Sequence, residues 1–598
     1  MKKIALFSIL IFLIFTSCKK ENSTAQNNVA LVNNTTSKAF NKLLDDYNEK
    51  NFTFFPLNAT FAGDNRYNDQ LPNYLSGEFS TQLKSFYQST KDSLVKFNND
   101  NLSETEKLSK AVLLWDCNIN LETLTFNQDL TPINQMWTQQ LMFGQLASGA
   151  SAQPFKTVKD YNNWLKRVDY YLEWMASAEE KMREGIKQKH VLPKSLIKKV
   201  IPQLASLARG KTEEHLFFQP VKNFPEDFSE KNKAELTIAF TTMVKDKVIP
   251  AYKKLHQFMN TTYKYSGRYT SGIEDTPNGK AYYAHQIKKY TTTTMTADEI
   301  HNLGLSEVAR ILSEMEKVKE QVGFTGDLKA FFNHVRNNKE LMPFTEPQQV
   351  IDNFNAIHQR MKPQIKKLFG VTPKTPFEVR RTETFREASA SAEYNQGSLD
   401  GTRPGVFYTP IPDVTKYNVY SDEALFLHEA IPGHHYQISL TQENQNLPKF
   451  RKTLWYSAYG EGWALYTESL GKELGLYTNP YQYFGMLSME MHRAIRLVVD
   501  TGLHSKGWTR EQAIQYSLDN EAEAEASIIS EIERYMANPG QALSYKIGQL
   551  KIRELRAKAE KALGNKFNIK VFHYEVLETG CIPLALLEAK IDKWIASK

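Results

Sequence analysis

Residues 423–437 read Glu423-Ala-Leu-Phe-Leu-His428-Glu429-Ala-Ile-Pro432-Gly433-His434-His435-Tyr-Gln437. An apolar helical run leads into a His-Glu pair, and two more histidines follow within seven positions. Imidazoles and carboxylates at this density are metal-ligand chemistry. In a regular helix, position i+6 lies about 240° round from His428, on the wrong face, whereas i+7 returns to it. Pro432 removes a helical donor and kinks the chain, and Gly433 permits dihedrals that other residues avoid. The stretch predicts a helix disturbed at the Pro-Gly pair, with His434 or His435 turned back towards His428.

The His-Glu pair resembles the zinc-protease signature, in which the glutamate beside the first ligand is the general base. That signature has its second histidine four residues on, where this chain has Pro432. Downstream lies Tyr459-Gly-Glu461-Gly-Trp-Ala-Leu-Tyr-Thr-Glu468. Glu-Gly-aromatic-Ala resembles the segment that supplies a glutamate as third ligand in gluzincin peptidases. Glu468 falls two turns beyond Glu461 on the same helix face, suited to hydrogen bond a ligating histidine.

Four strings occur in order: HEAIPGHHYQ, GEGWALYTE, DTGLHSKGWT (500–509) and PGQALSYKIG (539–548). Together they closely resemble the bacterial domain-of-unknown-function family 885, regarded as gluzincin-like metallopeptidases, over roughly residues 40–595. The resemblance implies a mainly α fold, a large helical zinc metallopeptidase of the angiotensin-converting-enzyme and oligopeptidase type, with its site in a central channel. It implies Zn2+ held by His428, His434 and Glu461, with Glu429 as base. Similar zinc peptidases tolerate a small insertion between the paired histidines, which favours His434. His435 is the alternative ligand or, like Glu468, a support for the ligands. His504 and Tyr545 become candidates to donate a hydrogen bond to the oxyanion. Arg403, in GTRPGVFY, and Lys546 become candidates to grip a peptide carboxylate.

The rest of the chain agrees with a helical body. Of 598 residues, 41% are hydrophobic and 24% charged, which excludes disorder over most of the length. Only 28 glycines and 23 prolines favour helix over a sandwich of many tight turns. Tyr161, Trp164, Leu165, Val168, Leu172 and Met175 form one apolar stripe over 159–189. Thr296 with Glu299 is a capping-box start for a helix over 296–323. Between 376 and 420, PFEVRRTETF and GVFYTPIPD are short β-like runs about a Gly/Ser/Asn loop, a small strand element beside the active site. The acidic run 519–525 and the cluster His492, Arg493 and Arg496 read as structural charge. A net charge of +7 without a long basic block excludes nucleic acid as the expected partner.

The N-terminus, MKKIALFSILIFLIFTSC, has a basic start, a short apolar run and small residues before Cys18. It reads as a signal peptide over 1–17 ending in a bacterial lipobox, so Cys18 is the expected lipidation site. Several acyl chains at about 0.8 kcal/mol per buried methylene anchor a protein stably. Residues 18–36 read as a flexible tether and 37–598 as the body, with two lobes dividing near 270–375. Cys117 and Cys581 read as buried small hydrophobes. The expected product is an exported cell-envelope lipoprotein on a bacterial membrane, a zinc peptidase for short peptides. The alternatives are an inactive peptide-binding lipoprotein and a metal-free structural one.

Overall fold

The computed structural model describes residues 21–598 apart from 137, 150, 384–386, 388 and 389. The signal peptide and Cys18 lie outside the described residues. Helix takes most of the described chain, and strand is confined to one three-stranded sheet. The helices that frame the site are, in chain order, α1 (Glu21–Phe54), α2 (Glu104–Thr123), α3 (Val158–Gln188) and α4 (Ala297–Gln321). After the sheet come α5 (Asp422–Glu429), α6 (His434–Glu443), α7 (Ser457–Glu468) and α8 (Pro480–Ser505). The chain closes with α9 (Ser544–Leu563), α10 (Ile569–Leu577) and α11 (Leu584–Ala596).

Local chemistry explains the helix starts. Thr157 caps α3 by accepting from the Asp160 amide at 3.2 Å while Asp160 accepts from the Thr157 amide at 2.8 Å. Tyr161, Trp164, Val168 and Met175 of the expected stripe are buried. Thr296 and Glu299 make the same reciprocal pair at the start of α4, at 2.8 and 3.2 Å. Such caps are worth about 1 kcal/mol each. At the N-terminus, α1 begins at Glu21, so part of the stretch read as a flexible tether is helical. Ser37 donates to Glu106 at 2.6 Å and Phe40 is fully buried, tying α1 to α2.

β1 (Phe377–Arg381) and β3 (Gly405–Thr409) pair in parallel, Phe377 opposite Gly405, and both fall in the expected β-like runs. β2 (Glu393–Asn395) pairs antiparallel with β3, inside the stretch read as loop. The sheet order is β1-β3-β2, and it packs on α6 through His435.

Buried hydrophobic residues form two large clusters. One is built almost wholly from 133–263, around Trp164, Tyr171, Trp174 and Tyr252. The other spans α1, α2, α4 and everything from the sheet onward. Full burial of each large apolar side chain contributes roughly 1.5–3 kcal/mol, so each cluster is a core in its own right. Cys117 and Cys581 are free and buried. Among the described residues, no helix is long and apolar enough to cross a membrane.

Candidate metal centre

The chain at Pro432 breaks as its chemistry requires. α5 ends at Glu429, the Ile431–Pro432 peptide is cis, and α6 starts at His434. A Cβ at position 433 would collide with the carbonyl oxygens of Leu427 and His428, so only glycine lets the turn close so tightly. α7 fastens this turn from behind. The Trp463 indole donates to the Pro432 carbonyl and the Thr467 hydroxyl to the Leu427 carbonyl, both at 2.8 Å. α7 in turn lies against α9, with Gly462 facing Gly548 so closely that a side chain on either would meet the other's backbone.

The result is a convergence of three donors from three helices. One ligand atom each from His428, His434 and Glu461 lies within 4.8 Å of the others. Glu461 Oε2 is 3.6 Å from His428 Nε2 and 3.3 Å from His434 Nε2. Ligands about 2.0–2.1 Å from a tetrahedral zinc stand roughly 3.3–3.4 Å apart, so the spacing fits that ion. Glu468 Oε1 accepts from His428 Nδ1 at 2.7 Å, which places the proton on Nδ1 and aims the Nε2 lone pair at the cluster. His434 Nδ1 is buried and has no hydrogen-bond partner among the described residues.

Two carboxyls in this centre are pushed in opposite directions. Burial raises the Glu429 carboxyl above its ordinary value, against the pull of His428 and His434. Burial also works to raise Glu461, but His434 and His428 overcome it and hold that carboxyl well below the usual range. The Glu429 carboxylate makes no hydrogen bond among the described residues and stands one residue from His428.

The other expected residues divide. Tyr545 lies beside the cluster, its ring stacked on His428 at 6.5 Å between centroids, with the Arg496 guanidinium 4.4 Å from its ring. Its hydroxyl has no hydrogen-bond partner among the described residues. His435 points away from the cluster, its Nδ1 3.0 Å from the Tyr394 hydroxyl, and burial pushes it down to about 4.

His504 corrects an expectation. Its Nδ1 accepts from the Ile273 amide at 3.0 Å and its Nε2 donates to the Tyr535 carbonyl at 3.0 Å. Both nitrogens are committed, and burial pushes the ring down to about 3. On α8 it sits eleven residues, about 16 Å, beyond Arg493, which reaches Glu468 at 3.8 Å. His504 is a fold-holding residue, not an oxyanion donor. Lys546 is also corrected. It is fully buried, 2.6 Å from Glu490 and 2.9 Å from Glu307, and leaves no charge free for a peptide carboxylate. Arg403 is exposed on a loop, its guanidinium making a long hydrogen bond of 3.5 Å to the Phe61 carbonyl, and among the described residues nothing joins it to the cluster.

Two neighbours escaped the sequence reading. Trp455, 43% exposed, packs 5.7 Å from the His434 ring and over Gly460, an aromatic wall at the open side. Arg493, read only as structural charge, pulls on the Glu429 carboxyl and contacts Glu468. Both are set by contacts between segments distant in sequence, with no local signal. The charge reading of the helix otherwise holds, since His492 pairs with Glu521 at 2.6 Å and Arg496 with Glu531 at 2.9 Å.

A family profile described as "Bacterial protein of unknown function (DUF885)" matches residues 56–591. No curated protein matches. Among solved structures, a candidate lipoprotein from Colwellia psychrerythraea is similar with a TM-score of 0.88 and 28% identity, over 94% of this chain and 100% of that one. A candidate lipoprotein of unknown function from Shewanella oneidensis shares the fold at a TM-score of 0.72 and 19% identity, over 92% of this chain and 99% of that one.

Proposed function

The chain belongs to the bacterial family DUF885, and from that premise we propose that it is a lipid-anchored, zinc-dependent peptidase acting on short peptides. The observation that carries the reading is the convergence of His428, His434 and Glu461 with an unpaired, buried Glu429 alongside. A binding protein without catalysis has no use for that further carboxyl. The leader ending in Cys18, together with the Colwellia relative described as a candidate lipoprotein, supports the anchored form.

Zinc held there would supply Lewis acidity towards a peptide carbonyl and a lowered pKa for water. The chain's own groups do the rest. Glu429 accepts the proton of the attacking water and hands it to the leaving amine, and its raised carboxyl suits both acts. Tyr545, whose ring lies against His428, is the residue we assign to donate to a developing oxyanion. Glu468 keeps His428 in the tautomer that ligates. Trp455 offers an aromatic face to a substrate side chain.

The test is elemental analysis of tag-free protein with a peptide-cleavage assay. One zinc per chain and cleavage lost on chelation is the expected result. Absence of any transition metal after zinc supplementation overturns the reading.

A further inference from the structure

A cavity of about 800 Å³ lies behind α6, on the side away from His434. It is enclosed by α2, α6, α10 and α11, and its walls include Leu108, Phe369, Leu440, Leu447, Leu577 and Trp594. This volume is that of a small-molecule site. Most of the charge on its rim is already matched. Lys107 pairs with Glu104 at 2.8 Å, Lys593 pairs with the same carboxylate, and Lys590 is 2.9 Å from Glu575 and 3.1 Å from Glu578.

Lys374 and Lys570 are exposed, and one buried charge is not matched. Arg451 lines the cavity, is fully buried, and has no carboxylate partner among the described residues. Its Nη1 donates to Ser109 at 3.3 Å and its Nη2 to the Thr579 carbonyl, but its Nε has no partner. The Thr579 hydroxyl oxygen, also on the cavity lining, is buried without a partner. The groups around the guanidinium, Tyr456, Tyr459 and Cys581, are neutral at ordinary pH because burial raises each of them. A buried cation without a counter-charge is costly, and so are two idle polar atoms beside it.

We propose that this cavity binds a long-chain fatty acid, its carboxylate seated at the end of the cavity where Arg451 and Thr579 stand in the lining and its chain lying along the leucine and aromatic walls. One uncompensated cation calls for one negative charge, which a fatty acid carries and a fatty alcohol lacks. The acyl chains expected on Cys18 are joined as ester and amide, carry no charge, and do not match Arg451. The fatty-acid site does not depend on the metal centre or on any peptidase activity.

The experiment is native mass spectrometry of the full chain released from a nanodisc after equilibration with hexadecanoate or with hexadecanol. The expected result is one saturable hexadecanoate adduct per chain and none with hexadecanol. Arg451→Leu should lower hexadecanoate occupancy at least tenfold. Ala589→Trp, which adds bulk at an exposed position of the cavity wall, should do the same without disturbing the core, so a folding failure of the arginine variant does not decide the matter. No adduct, an adduct that survives Ala589→Trp, or equal occupancy by hexadecanol overturns the proposal.

Discussion

Glu429 and Glu461 share one buried neighbourhood and differ in what it does to them. One carboxyl is raised and available to take a proton, and the other is held charged by two imidazoles. Glu429→Gln should keep one zinc per chain and lower peptide turnover at least about a hundredfold, read by metal analysis and initial rates. His434→Ala should abolish zinc binding, whereas His435→Ala should retain it, because His435 spends its Nδ1 on Tyr394. Equal zinc content in the two variants would show that His434 is no ligand. His504 makes a different kind of test. Its native pKa, about 3, is below the roughly 6.5 of an unfolded histidine. Its contribution to stability is therefore complete above about pH 6.5 and is lost as pH falls towards the native value. Between pH 6 and 4 the wild type should lose about 1.4 kcal/mol per pH unit more than His504→Gln, measured by denaturant melts at each pH. The break in the helix before His434 was legible because proline and glycine act locally, whereas the preference for His434 over His435 came from the family resemblance. His504 and Lys546 were misread because Ile273, Tyr535, Glu307 and Glu490, which claim them, lie far away in sequence.

Elements were legible where their punctuation is local. The Thr-x-x-Glu start of α4 and the stripe of α3 need no knowledge of the rest of the molecule. β2 was not legible, since three residues in a polar stretch become strand only because β3 offers its free edge. Helix pairs are harder still. α8 and α9 are joined by the buried Lys546–Glu490 pair, with Glu307 of α4 completing it. Lys546→Met removes the buried member of this network but leaves Arg310 paired with both carboxylates, so it should cost less in chemical denaturation than the roughly 3–5 kcal/mol of a buried pair left wholly uncompensated. The Michaelis constant for peptide should not change in the folded fraction, whereas a carboxylate-gripping lysine would raise it.

For the whole molecule, composition and spacing foretold a helical body, and the centre's first contacts could be read from two short strings. How the apolar residues would divide was beyond reach, because clusters are defined by which helices touch. Every helix that brings a ligand to the metal centre contributes to the larger cluster, and none to the cluster of 133–263. These two bodies should be separate foldons, each with its own opening free energy. Zinc bound only by the native centre stabilises by mass action, and that gain goes to the foldon that holds it. In amide hydrogen exchange, chelation should speed deuterium uptake in α5, α6 and α7 while the slowest amides of α3 keep their rates. Uniform acceleration through both would mean that the protein opens as one unit. With the division intact, a metal-starved chain would keep a folded 133–263 region while the half that carries His428, His434 and Glu461 frays, and a protease would find its first cuts there.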